Sequence, residues 1–152
     1  MEQVIENLYI GCHHDLANKL QLSELGIKGV LKLYTDRDDL TKAPDVSWLT
    51  IHDYPMPDGN GWEKKDFDYC NALIAGYINN NRKILVVCGA GKSRSATVVL
   101  SYLIKRGFSL SSALAYLKER RPAIDPSIRM LASLMEYHNL HPYLGTVDPK
   151  WL

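Results

Sequence analysis

Cys88 and Arg94 stand six positions apart in Cys88-Gly89-Ala90-Gly91-Lys92-Ser93-Arg94-Ser95. A thiol and a guanidinium joined by a glycine-rich segment suit a nucleophile and an oxyanion clamp that face one small anion. The flanks place the pair. Ile84-Leu85-Val86-Val87 reads as a fully buried strand, and residues 95–104 read as a largely buried helix closed by Gly107. The loop therefore lies at a helix N-terminus, where unpaired N–H groups and the positive end of the helix dipole favour an anion, either a phosphate or the Cys88 thiolate. Such surroundings lower a cysteine pKa from about 8.5 to between roughly 3.5 and 7.5, which gives a nucleophile at neutral pH.

Two other readings compete. Gly91-Lys92-Ser93 resembles the end of a nucleotide-binding loop, but that pattern needs a glycine five residues before Gly91, where this chain has Val86. No apolar strand ending in an acidic residue follows to hold magnesium. The plainer alternative is a structural cysteine beside a helix-start arginine, since free cysteine is among the most buried residue types. Partner residues decide. A thiolate attacking phosphorus expels an alkoxide or phenoxide unless an acid protonates the leaving oxygen, a contribution of about 10²- to 10⁴-fold. Asp58 is the candidate acid, because Pro55, Pro57 and Gly59 form a stiff turn that holds one carboxylate ahead of the helix feeding the nucleophile strand. Asp53 is the alternative, and both also fit the commoner role of satisfying turn backbone.

The elements that position these residues alternate. Residues 8–10 read as a short strand, 15–25 as a helix stopped at Gly26, 27–33 as a strand, and 48–51 as a third short strand after a polar connection. A helix over 63–80 precedes the strand that ends at Cys88. Ser109 caps a further helix ended by Pro122, and a last helix carries Ile128, Leu131, Leu134 and Met135. This order predicts an α/β domain with a central, mostly parallel sheet flanked by helices on both faces and with its ligand at the carboxyl ends of the strands. The 152 residues suffice for one domain with a sizeable core, expected over 1–141 with 142–152 as a tail.

Eighteen Lys and Arg against 17 Asp and Glu leave a formal charge of +1, which offers no broad basic surface for nucleic acid. Three scattered cysteines make neither a disulfide framework nor a paired metal pattern, and they suit a reducing, cytoplasmic setting. Neither a secretory leader nor a run of about 18 apolar residues is visible, so integral membrane association is not expected. Nothing points to an oligomer, and a monomer is expected.

These segments together are similar to a small dual-specificity phosphatase of the cysteine-dependent protein tyrosine phosphatase superfamily. Val4-Ile5-Glu6-Asn7-Leu8-Tyr9-Ile10-Gly11 resembles the family's opening strand motif, and Leu25-Gly26-Ile27-Lys28-Gly29-Val30-Leu31 its second strand. Met56-Pro57-Asp58-Gly59 resembles its general-acid loop, Cys88 to Ser95 its phosphate loop, and Arg120-Arg121-Pro122-Ala123-Ile124-Asp125-Pro126-Ser127 the segment before its last helix. The resemblance implies that Cys88 forms a phosphocysteine while Arg94 and the amides of Gly89, Ala90, Gly91, Lys92, Ser93 and Arg94 hold the phosphoryl oxygens. It further implies that Asp58 donates a proton and then activates water, and that Ser95 stabilises the departing thiolate. The implied substrates are phosphotyrosine and phosphoserine or phosphothreonine in phosphorylated proteins, with no cofactor or metal. Lys92 also resembles the basic loop residue of phosphoinositide and phosphatidylglycerophosphate phosphatases. A phosphate-binding module without turnover is the alternative of another class.

Other polar and aromatic residues read as structural. His13, His14, His52, His138 and His141 have no cysteine or acid to complete a metal site. Cys70 and Cys12 read as small buried hydrophobes rather than redox partners of Cys88. Trp48, Trp62 and Trp151 read as anchors, Trp62 also as a candidate to line the cleft, and the acidic run 36–39 as a solvated loop at its rim. Two departures from the family pattern stand out: Val87 occupies the place of a histidine, and Ser127 that of a frequent asparagine. Val87 cannot hydrogen-bond to the loop, which predicts a less firmly held loop and a less acidic Cys88. Alkylation of the Cys88 peptide, followed by mass spectrometry against pH, should lose rate as the pH drops toward 5. A thiolate still fully formed well below pH 5 would refute the expectation.

Overall fold

The carboxyl end of one central strand is where the fold converges. The computed structural model describes residues 1–35, 40–59 and 62–140. The acidic run 36–39, Asn60 and Gly61, and the tail with His141 and Trp151, on which expectations were placed above, lie outside them. Five strands, β1 (Glu2–Ile5), β2 (Leu8–Cys12), β3 (Ile27–Lys32), β4 (Thr50–Asp53) and β5 (Lys83–Cys88), form one sheet in the order β1-β2-β5-β3-β4. All neighbouring pairs are parallel except β1 with β2. β5 is central because it is apolar on both faces. Val86 and Cys88 point into the larger core, while Leu85 and Val87 point into the smaller one.

Four helices, α2 (Lys64–Asn79), α3 (Arg94–Lys105), α4 (Leu110–Arg120) and α5 (Ile128–Tyr137), supply the larger core. α1 (Lys19–Leu25) packs on β3 over the other face. α3 lies at the middle of the larger layer, with residues 95–103 all buried, and touches β5, α2, α4 and α5. Each fully buried Val or Leu there contributes roughly 1.5–3 kcal/mol, so the helix carrying Arg94 is held along its length.

Three local expectations shift. The expected first strand is the second arm of a hairpin whose two-residue turn puts Asn7 at φ 68°, a left-handed conformation asparagine tolerates. The expected helix over 15–25 is broken. A 3₁₀ turn at His13–Ala17 precedes α1, because Asn18 accepts the Gln21 N–H through its side chain at 3.0 Å and restarts the helix as its N-cap. The third strand begins at Thr50 rather than 48, since the Leu49 N–H still closes a turn onto Val46 O and pairing with β3 starts at Gly29–Thr50. Gly26, at φ 78°, ends α1 as expected, and Ser109 and Ser127 cap α4 and α5.

A polar chain crosses the helical layer. Asn71 Nδ2 of α2 donates to Ser101 Oγ of α3 at 2.9 Å, and Ser101 lies 2.9 Å from His138 Nε2 at the end of α5. Burial, then the Lys105 charge, push the His138 imidazole down to about 4. The unfolded chain binds a proton here near the ordinary value of about 6.5, while the folded chain stays neutral until about pH 4. Stability therefore falls as the pH drops through that window. Urea midpoints of His138→Gln should change less between pH 7 and 4.5 than those of the wild type. The slope should diminish without vanishing, because burial and the Arg82 guanidinium also hold His52 low.

Candidate active site

β5 delivers Cys88 to the edge of the core, 2% exposed, and residues 89–93 turn the chain into α3. Cys88 Sγ lies 3.3 Å from Ser95 Oγ in the first turn of α3, and Ser95 is fully buried. Four of the loop carbonyls accept from donors outside the loop. Gly89 O accepts from the His13 N–H at 3.3 Å, Gly91 O from Arg121 Nε at 2.8 Å, Lys92 O from the Asp125 N–H at 2.8 Å, and Ser93 O from the Thr97 N–H at 2.9 Å. In a trans peptide the carbonyl and the next residue's N–H point opposite ways. Carbonyls held outward therefore turn the N–H groups of residues 90, 92 and 93 inward, beside the free amides at the start of α3. The result is a concave set of donors suited to one tetrahedral oxyanion. Gly91 closes this curve at φ 69°, and a methyl group there would lie 2.7 Å from Gly11 O and 2.5 Å from Arg121 Nη2.

Arg94, half-buried at the first position of α3, donates through Nη1 to Leu33 O at 3.3 Å and Met56 O at 3.2 Å. It thereby joins the end of β3 to the loop that carries Asp58. A cleft of about 430 Å³ runs between these segments and is lined by Tyr34, Leu40, Pro57, Asp58 and Arg94 among others. Asp58 is exposed there, on a loop anchored before it by the Met56 N–H to Leu33 O at 3.0 Å and after it by Trp62 Nε1 to Pro57 O at 3.0 Å. Asp53, the alternative acid, lies outside this lining and faces Lys32 Nζ at 3.3 Å. The structure thus brings Asp58 and Arg94 onto one cleft and leaves Asp53 aside.

Some secondary expectations are corrected, while Cys70 is buried as expected. Trp62 is buried against Phe67 and supports the Asp58 loop from behind instead of lining this cleft. Cys12 is half-buried rather than buried, and the parallel register sets it opposite Cys88. Burial pushes the Cys70 thiol up to about 12, which keeps it inert. Ser127 turns its hydroxyl to the Met130 N–H at 3.2 Å as the α5 cap, and its own N–H reaches Ser93 Oγ at 3.3 Å. The loop contact at that position is therefore made by backbone. Among the described residues no group of three metal-capable side chains assembles. His13 accepts from the Thr41 N–H, His52 meets Tyr77 and His138 meets Ser101. Sequence reasoning gave no role to Lys32, a buried cation donating to Tyr34 O at 2.9 Å behind the cleft wall, or to Arg121 individually.

Residues 8–140 match the family model described as "Dual specificity phosphatase, catalytic domain". Human dual specificity protein phosphatase 16 is 33% identical over 97% of this chain, which spans 22% of that protein's length. The 123R protein of Invertebrate iridescent virus 6 is 32% identical, with 89% of each chain covered. The crystal structure of the human tyrosine phosphatase-like serine/threonine/tyrosine-interacting protein superposes with a TM-score of 0.84 at 24% identity, covering 95% of this chain and 98% of that one.

Gly91→Ala should strain the loop where its curvature is tightest, against the backbone at Gly11. A left-handed conformation forced on a side chain costs about 1–3 kcal/mol, so oxyanion binding should weaken about tenfold or more. Loss of protection of Cys88 from alkylation by inorganic phosphate, with unchanged far-ultraviolet circular dichroism, would report it.

Proposed function

The chain belongs to the dual specificity phosphatase family, and from that premise we propose that it hydrolyses phosphotyrosine, together with phosphoserine and phosphothreonine, in proteins through a phosphocysteine at Cys88. The observation that carries the reading is the convergence at the carboxyl end of β5. Cys88 sits at the base of an inward-facing amide loop against Ser95, and Arg94 and Asp58 share the adjoining cleft.

In the first step the Cys88 thiolate attacks phosphorus, an S–P bond forms, and the bond to the substrate oxygen breaks as that oxygen takes the Asp58 proton. In the second, Asp58 removes a proton from water, the hydroxide oxygen bonds to phosphorus, and the S–P bond breaks to release inorganic phosphate and the thiolate. The Ser95 hydroxyl, 3.3 Å from Sγ, stabilises that thiolate. Arg94 exchanges its two carbonyl acceptors for phosphoryl oxygens, and its planar fork tightens as charge develops on them. Arg94 and the α3 terminus supply the positive field without a metal.

The aromatic and apolar wall of Tyr34, Leu40, Pro55 and Pro57 suits an aryl phosphate. The exposed Lys92 favours a second reading, a phosphoinositide headgroup with a further phosphate. All three cysteines are free, in keeping with the reducing cytoplasm as the place of action, and a single chain contains every group the steps use, which suits a monomer. No described helix is long and apolar enough to cross a membrane.

Phosphate release from phosphopeptides, inositol phospholipids and an aryl phosphate should favour the phosphotyrosine peptide and vanish in Cys88→Ser. Faster release from the lipids would move the assignment to the second reading, and equal rates in Cys88→Ser and the wild type would refute the phosphocysteine. Asp58→Ala should cost about 10²-fold or more with poor leaving groups and little with a nitro-substituted aryl phosphate. Asp53→Ala should leave both unchanged.

A further inference from the structure

A loop that turns its amides inward depends on whatever holds its carbonyls outward. Three of the four carbonyls take backbone N–H groups, those of His13, Asp125 and Thr97, the last joined by the Thr97 hydroxyl. The fourth is different in kind. Gly91 O accepts from Nε of Arg121, at the end of α4, and the Nη1 of the same guanidinium donates to Glu2 Oε1 on β1 at 2.5 Å, 119 residues away in sequence. The Arg121 side chain is 13% exposed, while its partner Glu2 reaches solvent. The space for Nη2 exists only because residue 91 has no side chain.

Resting on the reading of residues 88–95 as an oxyanion site, we infer that Arg121, fixed by Glu2, is a positioning residue of the phosphate loop that supplies the brace Val87 cannot. Gly91 O and the Lys92 N–H belong to one peptide unit. A cationic donor on the oxygen pulls electron density through the amide and makes that N–H a stronger donor toward the pocket. Arg121 touches no reacting atom. Its effect belongs to oxyanion affinity, and the leaving-group dependence set by Asp58 stays as it is. A tie between α4 and β1 survives its removal, because Tyr116 Oη donates independently to Val4 O at 2.7 Å.

Alkylation of the Cys88 peptide with and without inorganic phosphate tests this without needing turnover. Arg121→Met should weaken phosphate protection roughly tenfold, as expected for losing a charged hydrogen bond. Arg121→Lys should recover only part of the protection, since it restores a cation without the planar donors that reach Gly91 O and Glu2 together. With an aryl phosphate substrate, kcat/KM should fall mainly through KM. Wild-type protection in Arg121→Met would overturn the inference, whatever happens to its urea midpoint. Should that variant not fold, Glu2→Ala takes its place, where a smaller loss of protection supports the inference and unchanged protection overturns it. A wild-type Cys88 that phosphate does not protect would instead refute the oxyanion reading beneath it.

Discussion

Consecutive peptides cannot curl their N–H groups around one point and also satisfy their own carbonyls, and that constraint organises the structure around residues 88–94. Every carbonyl turned outward needs a donor waiting outside, and the sheet order provides them. β2 and β3 flank β5, so the segments leaving their carboxyl ends arrive beside the loop. The His13 N–H follows β2 and reaches Gly89 O, while the Val87 carbonyl accepts from the Leu33 N–H that follows β3. The connection between α4 and α5 closes the far side through Arg121 and Asp125. Moving any of these segments would leave a carbonyl unpaired or turn an amide away from the pocket.

The same constraint explains which parts of the site were legible in the sequence. The strand, loop and helix around Cys88 are read from contiguous residues: an apolar run, a glycine segment and a helical pattern that Gly107 closes. Asp58 was legible as the candidate acid from its Pro and Gly neighbours, and its sharing of a cleft with Arg94 is a fact of folding that no local pattern contains. Asn18 shows a local signal misread. Its capping side chain competes with helix continuation, and the leucine periodicity around it concealed the break. The first arm of the hairpin was hidden for another reason: β1 is a short edge strand whose pairing with β2 is set by an unusual Asn7 conformation rather than by apolar alternation.

Arg121 was illegible individually because what it does is defined across long separations. A sequence pattern shows Arg121 at a helix end beside Pro122, where a basic residue commonly faces the helix dipole. Only the fold brings Glu2 to one edge of its guanidinium and Gly91 to the other. Val87 fits the same account. Its side chain is committed to the smaller core with Leu85 and Tyr34, so that position contributes packing beneath the loop rather than a hydrogen bond to it.

The contacts of Arg94 also show how it can be both firmly placed and free to engage a phosphate. Its Nη1 rests on two neutral carbonyls, which are weaker acceptors than the oxygens of a phosphate dianion. When the guanidinium leaves them, Leu33 O still accepts the Met56 N–H at 3.0 Å, so no buried oxygen is stranded there. Met56 O is released on the Asp58 loop, at the wall of the cleft. The exchange is thus favoured by the charge that phosphoryl oxygens carry and the two carbonyls do not. Because the Met56 carbonyl lies two residues before Asp58, the proposed mechanism links phosphoryl binding to the loop that carries Asp58 through one side chain.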